Sequence, residues 1–268
     1  MSELQGLHTA TINAIVDHAG RATLPLQRAH RDERHATAFW FNELVETTAE
    51  EEVVRQYLVT AGEPSRIDLA EFTLRPQLCA PTMSATKLLM PDFADQWIHL
   101  DGLGVAVMPT SGLHAHGARK GWHWTTDEIT DGIAAREEDL AGIGATPVAA
   151  YALGHLAEEA DDAREQAVVM GEVARTGSGG DIRWIGDLPR GCVGAPVFFS
   201  RGLGGDRFTM LCLGVALPGE GSHTIATFDR IRTALSALAA PAPEPAPEPH
   251  TPAPPLPASK RPRWWRRS

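Results

Sequence analysis

Cysteine is scarce in this chain, with three in 268 residues, at positions 79, 192 and 212. Three scattered thiols build no disulfide framework, and an odd number leaves one free. There is no Cys-x-x-Cys pair and no zinc-like spacing of cysteine and histidine, so neither a structural metal nor another cofactor is expected. No apolar run approaches the length of a membrane span. The first twenty residues lack the basic start, apolar run and small-residue site of a leader peptide. Positive charge is also in deficit. The 24 Lys and Arg face 34 Asp and Glu, a net charge of −10. That balance argues against general nucleic-acid binding and favours basic partners. Together these absences lead us to expect a protein of a reducing, cytoplasmic compartment.

What is present is enough chain to bury a large core without cross-links. Leu4, Leu7, Ile12, Ile15 and Val16 recur at helical spacing, which predicts a short N-terminal helix packed on the main body. From Ala22 to Phe41 the pattern is β-like. Thr47 to Glu52 reads as an acidic hairpin tip before a strand at Val53 to Thr60. The apolar runs Cys79 to Met90 and Trp97 to Met108, broken by Pro81, Pro91 and Gly102, suit several short strands. His114, His116, Trp122, His123 and Trp124 read as an exposed interdomain loop, because His-x-His without a further fixed ligand is a weak metal signal. Asp127 to Leu140 is charged and helix-compatible. The glycine clusters at 177–180 and 202–205 read as hairpin turns.

After Leu238 the composition changes. Ala239 to Pro257 is rich in Pro, Ala and Glu and reads as an extended, disordered tether. It leads to a basic end, Lys260 to Arg267, that carries Trp264 and Trp265. Two adjacent tryptophans among arginines suit an anionic membrane surface or a protein partner. The domain boundaries are therefore 1–238 for the folded body and 239–268 for the tail. Peripheral attachment to a membrane is the alternative that the tail leaves open to a cytoplasmic location, and the oligomeric state is not legible.

One stretch orders the rest. Gly191-Cys192-Val193-Gly194-Ala195-Pro196, followed by the apolar Val197-Phe198-Phe199, resembles the nucleophile turn of the trypsin-like (chymotrypsin-fold) serine peptidases of bacterial type. Such a turn aims backbone N–H groups at one point, which calls for glycines free of the usual dihedral limits. Upstream, Tyr57-Leu58-Val59-Thr60-Ala61-Gly62-Glu63 resembles the strand that ends at the family's histidine. Gly104-Val105-Ala106-Val107-Met108 resembles the aspartate segment. The order of the three stations is that of the family. Valine stands for serine, Glu63 for histidine and Gly104 for aspartate. His35 to Phe41 is similar to the first-barrel strand, Thr130 to Gly154 to the crossover into a second barrel, and Phe228 to Leu238 to the closing helix.

The resemblance implies an all-β fold of two six-stranded antiparallel barrels with short N- and C-terminal helices. It implies residual oxyanion-hole amides at Gly191 and Val193, and a peptide-lining strand at Leu213, Gly214 and Val215. Val193 has no group to attack a carbonyl. Cys192 would point away from the cleft, and Glu63 as a base would have no nucleophile to serve. His99 and Asp101 approach the cleft edge without restoring a triad. The expectation is a catalytically inactive binding or regulatory domain that takes a peptide or protein ligand in its cleft. The alternative is a hydrolase of the same fold with a rearranged site.

Overall fold

The computed structural model describes residues 2–48, 52–83, 85–160, 163–177, 180–204, 207–219 and 221–239. Helix α1 (Ser2–Ala19) leads into an N-terminal sheet of strands β1 (Thr23–Arg28), β2 (Ala36–Thr47), β3 (Glu52–Ala61) and β4 (Leu69–Thr73). After the short β5 (Cys79–Ala80), the sheet continues with β6 (Lys87–Pro91), β7 (Ile98–Leu100) and β8 (Val105–Pro109). Helix α2 (Ser111–Lys120), β9 (His123–Trp124), β10 (Ile129–Thr130) and a one-turn α3 (Glu137–Leu140) carry the chain across. The second unit comprises β11 (Val148–Ala160), β12 (Ala163–Arg175), β13 (Ile182–Ile185), β14 (Pro196–Gly204), β15 (Arg207–Ala216) and β16 (His223–Thr227), followed by α4 (Phe228–Ala239).

The second unit is a closed six-stranded barrel in the order β11-β12-β13-β16-β15-β14. The N-terminal sheet has eight strands rather than six. Seven follow the path β6-β4-β1-β2-β3-β8-β7, and β10 joins β2 in parallel register. β5 and β9 pair separately.

Strand alternation explains how the two units meet. In β2, Ala36, Ala38 and Trp40 enter the core of the N-terminal sheet, while Phe39 and Phe41 face the seam between the units. β3 and β8 divide in the same way, with Leu58, Ala106 and Met108 inward and Tyr57, Val59, Val105 and Val107 toward the seam. Across the seam, β11 sends Ala150 and Ala152 into its own barrel and Tyr151 and Leu153 outward. Strands buried on both faces read as continuous apolar runs, which is why Ala-Thr-Ala-Phe-Trp-Phe shows no polar beat. Ile15 and Ala19 of α1, with Phe228, Ile231 and Leu235 of α4, complete the seam core.

Two local expectations are corrected. The His114–Trp124 segment is not an interdomain loop. Residues 111–120 form α2, and Trp122 and Trp124 are buried in the N-terminal core with Trp40. Gly117 makes this packing feasible, since a Cβ there would lie 2.9 Å from the Trp122 carbonyl oxygen and 3.0 Å from its ring. Asp127 to Leu140 is mostly extended linker rather than helix, with helical geometry only at Glu137–Leu140.

That linker is held by Arg232 of α4. Its guanidinium donates to Asp131 Oδ1 at 2.5 Å and to the carbonyls of Asp131, Ala134 and Ala135 at 3.0, 2.6 and 2.8 Å. Hydrogen bonds from a charged donor contribute about 1.5–3 kcal/mol in mutational series, and these four share one side chain. Arg232→Ala is therefore expected to lower the unfolding free energy by about 2–3 kcal/mol. Urea titration checks this, and a loss under about 0.5 kcal/mol would show that the linker holds itself.

Candidate functional site

The Gly191–Pro196 turn sits at one end of the seam. Residues 190–192 form a single 3-10 turn, and Gly194 follows with φ of +84°. Thr37 of β2 clamps the turn to the N-terminal sheet. Its N–H donates to the Val193 carbonyl at 2.8 Å and its hydroxyl donates to the Gly191 carbonyl at 2.7 Å. The same hydroxyl accepts the His155 N–H at 3.0 Å, so one threonine joins β2, β11 and the turn. On the other side, the Gly194 N–H donates to the Ala216 carbonyl at 2.7 Å.

Gly194 is pressed against the end of β3. An added Cβ there would fall 2.2 Å from Thr60 Oγ1 and 3.0 Å from the Ala61 nitrogen. One residue further along that strand, the Gly62 N–H donates to the Gly104 carbonyl at 2.8 Å. The fold thus gathers the turn of Val193, the end of β3 that leads to Glu63, and Gly104 at one end of the seam.

The polar side chains found there are engaged with other groups. The Glu63 carboxylate pairs with Arg34, and both are about half exposed. Neighbouring hydroxyls are spent on backbone carbonyls: Thr60 donates to Thr37, and Ser65 donates to Gly62. Cys192 is fully buried, and burial pushes its thiol up to about 12. A thiol so protonated at neutral pH is a poor nucleophile. The Val193 N–H is taken by the Arg190 carbonyl at 3.3 Å inside the 3-10 turn.

Beside these positions lies a cleft of about 420 Å³, walled by Glu63 and Arg66 from the β3–β4 turn, His99 and Asp101 from the β7–β8 hairpin, and Leu217 and Pro218 after β15. Burial and then the nearby Arg66 guanidinium push the His99 imidazole below its ordinary value, so it is neutral at pH 7. Leu213, Gly214 and Val215 do not line this cleft. They are buried, and Gly214 and Val215 pair with β14 on one side and β16 on the other. Leu217 and Pro218, which follow β15, line it instead of those three. Arg34 and Arg66 were not singled out from the sequence. Both reach the site by loop geometry, Arg34 with a left-handed φ of +60° that no local motif announces.

Trp264 and Trp265 lie outside the described residues. Among the described residues no helix is long and apolar enough to cross a membrane. The histidines of α2 belong to no group of three metal-ligating side chains among the described residues.

No family model matches the chain, and no curated protein sequence matches it. Several solved structures similar to it are proteases. A human pathogenic astrovirus serine protease is 11% identical, with a TM-score of 0.39 over 77% of this chain and 89% of that one. A serine endoprotease from Yersinia pestis is 11% identical, with a TM-score of 0.47 over 84% of this chain and 65% of that one. A protease from M. tuberculosis is 11% identical, with a TM-score of 0.44 over 88% of each chain. The likeness is one of β architecture.

Proposed function

We propose that this chain is a catalytically inactive trypsin-like domain that binds an extended peptide or protein segment in the cleft beside Glu63, His99 and Leu217. The observation that supports this reading is the closeness of the Val193 turn, the end of β3 that leads to Glu63, and Gly104, with an open cleft of about 420 Å³ alongside. Loss of the nucleophile removes covalent chemistry but leaves shape, apolar wall and polar groups, which are what a binding site needs. Leu217 and Pro218 supply the apolar wall. Arg66, His99 and Asp101 supply polar groups that fix a backbone or a side chain.

The test is to pan a random-peptide library on the full chain and measure the selected peptides against Leu217→Glu. A carboxylate on the apolar wall, covered by the bound peptide, is expected to weaken binding by about tenfold or more, roughly 1.4 kcal/mol. Leu217 is only half-buried, so the fold is expected to survive. Selected peptides that bind the variant as tightly as the original would place the ligand elsewhere.

A further inference from the structure

A second pocket, of about 610 Å³, is lined by Arg31, Asp32, Glu71, Lys87, Arg164 and, from the start of the same turn, Arg190. The β1–β2 loop links the two: it carries Arg31 and Asp32 into this pocket, and its Arg34 pairs with Glu63 on the wall of the cleft. The geometry points to this pocket as the place where the peptide bound in the cleft sets down an acidic residue, a reading that rests on the proposed peptide-binding function.

Pairing the charges shows where the surplus lies. Glu71 is 3% exposed and is satisfied by Lys87 Nζ at 3.3 Å and Gln27 Nε2 at 2.5 Å. Gln27 in turn accepts from Arg164, which also donates to the Ala157 carbonyl and lies 4.0 Å from Asp32. Asp32, largely exposed, also lies 2.8 Å from His35 Nε2, whose pKa burial lowers, so Arg164 is its charged neighbour. Each acid of the pocket thus has a cation beside it. Arg31 stands 3.8 Å from Glu33 Oε1, an oxygen that Arg28 holds more closely at 2.9 Å. Arg190 is exposed and makes no ion pair or side-chain hydrogen bond among the described residues. Two arginines are left to face the opening of a protein whose net charge is −10. Guanidinium forks suit carboxylates, which they hold through two parallel N–H···O bonds. The floor is preorganised, because Gln27 and Arg164 are 5% and 4% exposed and fixed to each other. Leu89, 47% exposed on the edge strand β6, offers apolar surface for the methylenes of a glutamate.

The experiment uses fluorescence anisotropy on the full chain, with a labelled ten-residue peptide alternating glutamate and valine and its counterpart with glutamine for glutamate. At low salt the glutamate probe is expected to bind at least about tenfold tighter than the glutamine probe, with the gap closing as salt is added. Arg190→Glu, at an exposed position, is expected to abolish the gap and leave the glutamine probe and the melting temperature unchanged. Arg31→Glu is expected to narrow it. Equal affinity of the two probes, an unchanged gap in Arg190→Glu, or binding of neither probe overturns the acidic preference. Leu217→Glu separates the two readings. A glutamate preference that survives that substitution with undiminished affinity supports the anionic pocket and removes the cleft as the peptide site.

Discussion

Gly194→Ala is expected to destabilise the protein by about 4 kcal/mol or more, enough to leave little folded material, because the substitution meets two independent obstacles. The first is dihedral. A φ of +84° places an L-residue in the left-handed region at a cost of about 1–2 kcal/mol. The second is steric. The new methyl would lie 2.2 Å from Thr60 Oγ1 and 2.4 Å from the Thr37 carbonyl oxygen, both in paired strands that have no room to retreat. Gly102→Ala separates the two terms. It shares a φ of +71°, but nothing lies within 4 Å of its added Cβ, so a loss of only about 1 kcal/mol is expected. Urea melts of both variants check the pair. A Gly194→Ala loss no larger than that of Gly102→Ala would mean that the turn is not docked on the end of β3.

His155 is expected to make the protein strongly acid-sensitive. The ring is 1% exposed and bridges the seam, with Nε2 3.0 Å from Thr23 Oγ1 and Nδ1 3.3 Å from the Arg164 carbonyl. Gln166 Nε2 donates to Thr23 Oγ1 at 2.6 Å, which leaves the Thr23 hydroxyl to donate to Nε2 and the Nδ1–H to donate to Arg164. The network needs a neutral imidazole. Burial, and then the Arg75 guanidinium, lower its pKa from 6.5 to about 3. Between these values the unfolded chain takes up a proton that the folded protein refuses. Stability is therefore full above pH 6.5 and falls by about 1.4 kcal/mol per pH unit below it, or about 2 kcal/mol by pH 5. Burial lowers His35 and His99 in the same direction. The carboxyls of buried Glu43 and half-buried Glu128 are raised by desolvation and work against the fall at lower pH, because the folded state then binds protons first. Unfolding free energies at pH 7 and pH 5 are the check. His155→Gln lowers stability at both but should lose about 2 kcal/mol less than the parent between them. Parallel losses would assign the acid sensitivity to other groups.

The parts of the fold that were legible are those fixed by nearby residues. Strands β2, β3, β8 and β14 announce themselves as apolar runs between turn residues, and the helices at the two ends show helical spacing. The closeness of the Val193 turn, the end of β3 and Gly104 follows from the strand order that the sequence pattern suggested. Helix α2 was missed because histidines and glycines are weak helix formers, and it is Trp122 packing over Gly117 that holds it. The eighth strand of the N-terminal sheet was missed because β10 is two residues long and is defined only by its parallel pairing with Phe41 and Asn42. The contacts of His155 with Thr23 and of Arg164 with Gln27 join residues more than 130 positions apart, a distance over which local patterning is silent.

The central claim is that the gathered stations bind without catalysing, and the most direct measurement exposes the purified full chain to a fluorophosphonate probe and to a fluorogenic peptide library. Such a probe reacts with a hydroxyl activated by a neighbouring base. With Val193 in the turn, Glu63 paired to Arg34, and Thr60 and Ser65 spent on backbone carbonyls, the account predicts no covalent adduct and no turnover above the buffer rate. Stoichiometric labelling of one serine or threonine, together with peptide hydrolysis that persists through repurification and is lost on mutating that residue, would contradict it.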